Sequence, residues 1–258
     1  MRLALASVEA RGATVNIADR VPFGTPWSRA AFDQALEIDS SDLTQEECDR
    51  LKPDALRLMA QSGSARICKV HDAWQDTSAG EPLFPPAVTR GAIYMVRDPR
   101  DVAVSFAAFT ARTIDATITA MANPDACLAH IPRQLNTQLR QRLGSWSAHV
   151  EGWLSAPVPV LLVRYEDMLA DPGEALARAT AFLGWKPSAA AIDGAVQATR
   201  FSTLREAETL TGFHEKISTA PQFFRQGRAG GWRDALTAAQ ADSIARTHAS
   251  AMSRMGYR

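Results

Sequence analysis

The stretch that decides the fold is IYMVRDPRDVAVSF, residues 93–106. It begins as an apolar run of strand length, becomes charged at Arg97, and then continues as an apolar pattern with helical spacing. Asp98 is a suitable N-cap, and Pro99 suits the first position of a helix. The stretch therefore predicts a buried strand that ends at a helix start, with Arg97 beside the helix N-terminus.

Other apolar runs extend this pattern along the chain. GAIYMV (91–96) and VPVLLV (158–163) are each followed at once by charged residues, as expected for buried parallel strands, and RICKV (66–70) is a shorter third candidate. A helical pattern follows the first two runs. Alternating strands and helices predict a single α/β domain over 1–258, with a parallel sheet flanked by helices.

Two regions outside this core have their own character. Residues 20–64 are interpreted as a helical insert, in which Ser41 or Thr44 is a candidate cap for the helix that follows. Residues 223–258 begin with a glycine-rich loop and end in a pattern that predicts one closing amphipathic helix.

The segment QRLGSWSAHVEGWL predicts a helix that packs on the core. Trp146, Val150, Trp153 and Leu154 fall on one face at helical spacing. We interpret these tryptophans as core residues rather than as ligand contacts.

Composition excludes several classes of protein. The 28 basic and 28 acidic residues balance, which argues against a nucleic-acid or membrane-surface binder. The three cysteines, Cys48, Cys68 and Cys127, are isolated, so a disulfide scaffold or a zinc site is not expected. No apolar run has the length of a membrane span, and the first residues do not form a convincing signal peptide. We therefore expect a protein of the cytoplasm.

The charged turn of the opening stretch favours an anion. Free backbone N–H groups and the dipole of the helix attract negative charge, and Arg97 adds a donor fork that matches a phosphate. Ser105 lies two turns beyond Asp98 on nearly the same face. The alternative is that Arg97, Asp98, Arg100 and Asp101 form only surface ion pairs at a helix start.

Three further motifs favour the anion site. In ICKVHDAW, Lys69 and His71 alternate, which predicts that a cation and a titratable base point the same way. LLVRYEDML places Tyr165 at the end of another strand. FFRQGRAGGW carries Arg225 and Arg228 among glycines that allow backbone amides to approach a phosphate.

With these motifs the chain resembles the sulfotransferase family, of bacterial type, that uses 3′-phosphoadenosine 5′-phosphosulfate (PAPS). VRDPRDVAVS, KVH, RYEDM, ATRFSTL and FFRQGRAGGW carry the resemblance, which runs from about residue 30 to the end. It implies a three-layer, P-loop-type parallel sheet and PAPS as co-substrate, with no metal. It also implies sulfuryl transfer to a hydroxyl or amine of a small-molecule acceptor.

The resemblance also implies roles for individual residues. His71 corresponds to the catalytic base and Lys69 to a stabiliser of the transition state. The remaining site residues correspond to family segments that bind the 3′-phosphate or lie against the adenine. Those residues are Arg97, Ser105, Arg225, Gln226 and Gly227 for the phosphate, and Tyr165 and Phe201 for the adenine.

One family motif has no counterpart in the sequence. Members of the family open with a strand and a Y-P-K-S-G-x-T-W loop that holds the 5′-phosphosulfate, whereas the first lysine here is Lys52 and FGTPWSR reads as an ordinary loop. MRLALASVEARG resembles the helix that follows that loop, with Arg2 as its arginine. We expect either an artificially shortened amino terminus or a gene that lost its first strand. In both cases we expect low stability and little PAPS-dependent activity from this chain.

Two alternatives to an active enzyme remain at this point. The chain could be a binding module that grips the 3′-phosphate without catalysis. A different phosphate-loop enzyme, such as a nucleotide kinase, is disfavoured because no glycine-lysine loop is present. The regions 20–64 and 107–140 are expected to shape the acceptor pocket, but neither the acceptor nor the oligomeric state can be read from the sequence.

Overall fold

The structure, a computed structural model, describes residues 1–10, 15–18, 23–61, 63, 65–130, 134–216 and 222–258. Parts of three predicted segments therefore lie outside the described residues: 11–12 of the first helix, 20–22, 62 and 64 of the insert, and 131–133 of the region 107–140. The α-helices of the described residues are α1 (Arg2–Glu9), α2 (Arg29–Leu36), α3 (Gln45–Ala60), α4 (Pro99–Thr110), α5 (Ile114–Ala122), α6 (Trp146–Leu154), α7 (Tyr165–Ala170), α8 (Pro172–Phe182), α9 (Ala189–Ala198), α10 (Phe201–Thr211), α11 (Ala238–Thr247) and α12 (Ala249–Arg254), and short 3-10 helices cover Ser40–Asp42 and Gly231–Asp234. The strands are β1 (Ala92–Val96), β2 (Cys127–Leu128), β3 (Gln141–Arg142) and β4 (Val160–Arg164).

The central sheet is the parallel pair β1–β4, in the two places where the long apolar runs predicted strands. Ile93 lies opposite Leu161, and both pack against a cluster from α1, α8 and α9. Tyr94 and Leu162 point to the other face, into the larger core shared by α3, α4, α6, α11 and α12. Because successive side chains of a strand alternate between faces, the two strands separate two helical layers. The predicted α/β class with a parallel sheet flanked by helices is confirmed.

The third predicted strand, RICKV at 66–70, is wrong. Residues 66–70 form no ladder with any described strand. The Lys69 N–H donates to the Gly24 backbone oxygen at 3.2 Å. A few residues on, the Ala73 N–H donates to the Arg142 oxygen at 2.8 Å. These isolated bonds hold an irregular segment in place of a strand.

Local sequence signals predicted helices α3 and α6 correctly. Thr44 caps α3 through a capping box with Glu47, as one of the two candidates predicted. Val150 and Trp153 of α6 are buried, with 0% and 5% of their surface exposed.

No helix among the described residues is both long enough and apolar enough to cross a membrane.

The predicted closing helix is two helices, α11 and α12, separated at His248. The His248 side chain is buried, with its Nδ1 2.8 Å from the Ser147 hydroxyl oxygen and its ring edge-on to Trp146. A break at this residue lets the tail follow the surface of α6. The single-helix prediction was wrong because these long-range contacts leave no local signal.

Candidate functional site

The helix start after β1 has the predicted geometry. The Asp98 carboxylate accepts a hydrogen bond from the Arg100 backbone N–H at 2.9 Å, and Pro99 is the first residue of α4. Since Asp98 satisfies one N-terminal amide and Pro99 has no N–H to satisfy, α4 begins directly where β1 ends. Arg97 lies between the two elements.

Arg100 takes part in the fold and not in an open site. Its guanidinium donates to Asp98 Oδ1 at 2.9 Å and to Asp98 Oδ2 at 2.7 Å, and also to the Arg258 backbone oxygen at 2.8 Å. It also lies 4.1 Å from the centre of the Trp232 ring. The alternative of ion pairs at a helix start is therefore correct for Arg100, although the pair is buried rather than on the surface.

Arg97 keeps a free donor. Its guanidinium lies 4.3 Å from the centre of the Tyr165 ring, and its Nη2 donates to the Arg228 backbone oxygen at 2.9 Å. The Asp101 carboxylate is 3.7 Å from the same nitrogen. Within the part of the chain that the structure describes, the buried Nε of Arg97 has no hydrogen-bond partner. A buried donor left unpaired costs about 1–3 kcal/mol, which a bound anion would recover.

Asp101 fastens the glycine-rich loop to the start of α4. Its two carboxylate oxygens accept hydrogen bonds from the backbone N–H groups of Gly230 at 2.7 Å and Trp232 at 2.9 Å. The residue is 2% exposed. The motif at 97–105 and the motif at 223–232, which are more than a hundred residues apart in sequence, are thus joined directly.

Within the loop, Gly227 is a position where glycine is required. Its φ is +60°, and a Cβ there would overlap the ring of Phe201. The structure therefore places Phe201, the first residue of α10, against the loop. Arg225 and Gln226 are exposed beside it, and Ser105 is exposed on α4.

The start of the loop is held from α10. The Glu208 carboxylate accepts hydrogen bonds from the backbone N–H groups of Phe223 at 2.7 Å and Phe224 at 2.9 Å. The Phe213 ring packs against both aromatic rings, with centroids 4.6 Å and 5.3 Å away. The turn at 213–216 is therefore tied to the same loop.

That turn carries Glu215 to the predicted catalytic segment. The Lys69 Nζ forms an ion pair with one Glu215 oxygen at 3.0 Å, and the Arg2 guanidinium of α1 binds the other oxygen. One carboxylate thus bridges two cations that lie 213 and 146 residues away from it in sequence.

The backbone of His71 is held on both sides. Its N–H donates to Gln141 Oε1 at 3.1 Å, and its carbonyl oxygen lies 3.1 Å from His149 Nε2. Because a carbonyl oxygen only accepts, His149 Nε2 carries the proton, and Nδ1 accepts from the Tyr94 hydroxyl at 3.0 Å. Burial lowers the pKa of His149, which favours this neutral form.

The environment of the His71 ring decides its protonation state. Although the residue keeps solvent contact, crowding by neighbouring atoms and then the charge of Lys69 lower the pKa of His71 to about 4. Its imidazole is therefore neutral at pH 7 and able to accept a proton.

The residue after His71 anchors the segment in the core. Asp72 Oδ1 accepts from Lys52 Nζ at 3.3 Å and from the Arg142 backbone N–H at 2.8 Å. Lys52 also pairs with Asp49 at 3.0 Å, and all three charged side chains are at most 4% exposed. Removal of one partner from such a buried pair costs about 3–5 kcal/mol. This network fixes the segment without a strand.

The predicted site residues thus form two groups. The Arg97 group comprises Arg97, Tyr165, Phe201 and the loop 225–227, whereas the Lys69–His71 group comprises those two residues with Arg2 and Glu215. The turn at 213–216 links the start of the glycine-rich loop to the second group, because Phe213 packs on Phe223 and Phe224 and Glu215 pairs with Lys69. Ser105 has no described contact with either group, so its predicted role stays a prediction.

Three residues of the site were missed from the sequence. Asp101 belongs to the opening motif, but the sequence indicated only that it is one of four charged residues at a helix start. His149 lies on the predicted helix α6, where its spacing relative to Trp146 gave no functional signal. No sequence pattern indicated a role for Glu215, because its partners lie far away in sequence.

Comparison with known proteins gives a family and a fold. A family model described as "Sulfotransferase domain" matches residues 46–256. Sulfotransferase 2A6 of Rattus norvegicus is 30% identical over 158 residues, which are 59% of this chain and 53% of the relative. The 3-alpha-hydroxysteroid sulfotransferase of Cavia porcellus is 27% identical over 184 residues, 68% of this chain and 61% of the relative. The chain spans about half the length of the curated relatives it matches.

Solved structures resemble the fold. Mouse sulfotransferase SULT7A1 complexed with PAP has a TM-score of 0.55 at 21% identity, covering 76% of this chain and 70% of that one. Retinol dehydratase in complex with androsterone and the inactive cofactor PAP has a TM-score of 0.57 at 20% identity, covering 97% and 76%. At this identity the likeness shows the fold alone.

Proposed function

The chain belongs to the sulfotransferase domain family, and from that premise we propose that it transfers a sulfuryl group from PAPS to a hydroxyl or amine of a small-molecule acceptor. The observation that carries the proposal is the direct junction of the two anion motifs at Arg97. There, a buried Nε–H of Arg97 without a partner among the described residues meets a glycine loop held by Asp101.

The Arg97 group fits a nucleotide with a 3′-phosphate. We assign the 3′-phosphate to Arg97, Ser105 and the loop 225–227. These supply a guanidinium whose Nε has no partner among the described residues, an exposed hydroxyl, and the exposed side chains of Arg225 and Gln226. Tyr165 and Phe201 are assigned to the adenine, since both rings border this group. The relatives of known structure that bind PAP support this assignment, because they share the fold.

The Lys69–His71 group supplies the chemistry in this proposal. The neutral His71 ring accepts the proton of the acceptor as the acceptor oxygen or nitrogen forms a bond to sulfur. The bond between sulfur and the bridging phosphate oxygen breaks, and its electron pair leaves with adenosine 3′,5′-bisphosphate (PAP). Lys69 stabilises the charge that develops on that oxygen. The reaction as proposed uses no metal.

We also propose a cytoplasmic location, and a bacterial type for the protein. The free thiols of Cys48, Cys68 and Cys127 support a reducing compartment. The relatives named above are rodent proteins, so the bacterial type rests on the sequence motifs alone.

A transfer assay with labelled PAPS tests the proposal. The chain is incubated with PAPS and a panel of phenols, hydroxysteroids and amines, and PAP affinity is measured by calorimetry. His71→Ala should reduce transfer by about 10²–10⁴-fold because the base is lost, while PAP affinity stays within a factor of about two. Transfer by the His71→Ala protein at the wild-type rate would contradict the role of His71. PAP binding without transfer to any acceptor would instead favour a binding module.

A further inference from the structure

No sequence motif indicated the charge cluster formed by Arg2, Lys69 and Glu215. Each Glu215 oxygen binds one cation, Arg2 from α1 and Lys69 from the segment before His71. The three side chains are 21%, 34% and 22% exposed, so the cluster is reachable from solvent. Two cations that face one point from separate elements are the arrangement that binds an oxyanion.

The charges of the cluster do not cancel. Two cations surround one carboxylate, and the adjacent His71 is neutral at pH 7 because its pKa is about 4. Burial alone would raise the pKa of Glu215, but hydrogen bonds from Arg2 and Lys69 lower it below its ordinary value, so Glu215 is ionised at pH 7. The cluster carries a net charge of about +1. A divalent anion in place of the carboxylate would bring the two cations to neutrality.

The cluster also lies beside the proposed base. The charge of Glu215 raises the pKa of His71, and the charge of Arg2 lowers it, which is the electrostatic signature of proximity. An anion held between Arg2 and Lys69 would therefore be next to the group that accepts the proton.

We propose that Arg2 and Lys69 form a binding site for a tetrahedral oxyanion, the sulfuryl or 5′-phosphate end of the nucleotide, and that the Glu215 carboxylate occupies this site until the anion displaces it. This inference deepens the proposed function and rests on it for the identity of the nucleotide. It assigns Arg2 a binding role that no sequence motif indicated.

Glu215 is placed so that its side chain can leave without unfolding its segment. The turn at 213–216 is held by buried Phe213 and by a hydrogen bond from the His214 N–H to the Ile17 oxygen at 3.1 Å. Neither anchor involves the carboxylate. A rotation of the partly exposed side chain therefore opens the site while the backbone stays fixed.

The test compares anion affinity in the full chain with and without the internal carboxylate. Glu215→Gln keeps the shape of the side chain but removes its charge, and the probes are inorganic sulfate, titrated at constant ionic strength, and PAP. We expect Glu215→Gln to bind both probes up to about tenfold more tightly, because the competing occupant is lost. Arg2→Gln should weaken both. Glu81→Gln is the matched control, since Glu81 pairs with Arg57 at 2.7 Å at a similar exposure elsewhere on the surface.

The outcomes separate this inference from the proposed function. Unchanged affinity of Glu215→Gln for both probes, with only a lower melting temperature, would overturn the inference and make Glu215 a structural bridge. Tighter sulfate binding without any PAP binding would keep the oxyanion site and contradict the proposed function. If Glu215→Gln does not fold, Glu215→Asp decides. Its shorter side chain cannot bridge both cations, so it should also tighten sulfate binding, and unchanged affinity in that variant would overturn the inference.

Discussion

The Arg97 group and the Lys69–His71 group are built in different ways. The first stands on regular structure, since Arg97 follows β1, Tyr165 begins α7 and Phe201 begins α10. The loop of that group is tied down by backbone hydrogen bonds to Asp101 and Glu208. The Lys69–His71 group lies on an irregular segment that is fixed by side chains. Its cation, Lys69, is already paired with the carboxylate of Glu215.

The difference indicates which group would contribute mainly to nucleotide affinity and which mainly to the reaction rate. The Arg97 group has an unpaired donor and pre-positioned rings among the described residues, so it should supply most of the affinity for a nucleotide. The Lys69–His71 group must exchange an internal ion pair for the ligand, so part of its interaction energy is offset by the loss of that pair. Variants in the first group should therefore change binding, and variants in the second should change the rate.

The largest effect on binding is expected at Arg97. Arg97→Ala removes the guanidinium and should weaken PAP binding by about 10–100-fold, as expected for a charged hydrogen bond worth about 1.5–3 kcal/mol. Calorimetry measures the change. Arg112→Ala, which removes an exposed arginine just beyond α4, is the control and should bind PAP like the wild type. An Arg97→Ala protein with unchanged affinity would remove the contrast between the two groups.

The sequence predicted the Arg97 group better than the Lys69–His71 group, for a physical reason. Strand alternation, the Asp98 cap and Pro99 act within a few residues, so β1 and α4 could be read directly. RICKV has a strand-like composition, but a strand needs a partner, and its backbone groups find isolated acceptors instead.

Long-range contacts explain the rest of what the sequence could not predict. The pairing of Glu215 with Lys69 spans 146 residues, and the contact of His149 with His71 spans 78. For Asp101 the sequence offered only the alternative of a surface ion-pair cluster, because its partners are backbone amides of a distant loop. Such contacts depend on the completed fold, and no local pattern encodes them.

Asp101 offers an intermediate effect that tests how firmly the loop is held. Asp101→Asn replaces one acceptor oxygen with a donor, so the partly buried backbone N–H of Gly230 or Trp232 loses its partner. We expect the free energy of unfolding to fall by about 1–3 kcal/mol. Hydrogen exchange at these two amides should become faster. Asp115→Asn is the control and should change stability little, because the exposed side chain can still accept from Gln240 Nε2 through its amide oxygen. Unchanged exchange at the two loop amides would mean that Asp101 does not hold the loop.

The smallest expected effects come from two tyrosines that are buried to a similar extent, one near each group. Tyr94 is 8% exposed and donates to His149, which in turn holds the His71 carbonyl; Tyr257 is 6% exposed and donates to Glu166 at 2.9 Å. Glu166 accepts from the Asp98 N–H at 3.0 Å and so supports the start of α4.

Each Tyr→Phe change removes one hydroxyl, so both should lower the free energy of unfolding by about 0.5–1.5 kcal/mol. Their functional effects should differ. Tyr94→Phe loosens the support of His71 and should lower kcat by up to about fivefold, equivalent to about 1 kcal/mol, with PAP affinity unchanged. Tyr257→Phe should weaken PAP binding by a similar factor and leave kcat unchanged. Steady-state kinetics and calorimetry on the two variants separate these effects. If both variants lowered kcat equally, or neither changed either quantity, the division between a binding group and a reacting group would be wrong, because a purely structural hydroxyl would affect the two parameters alike.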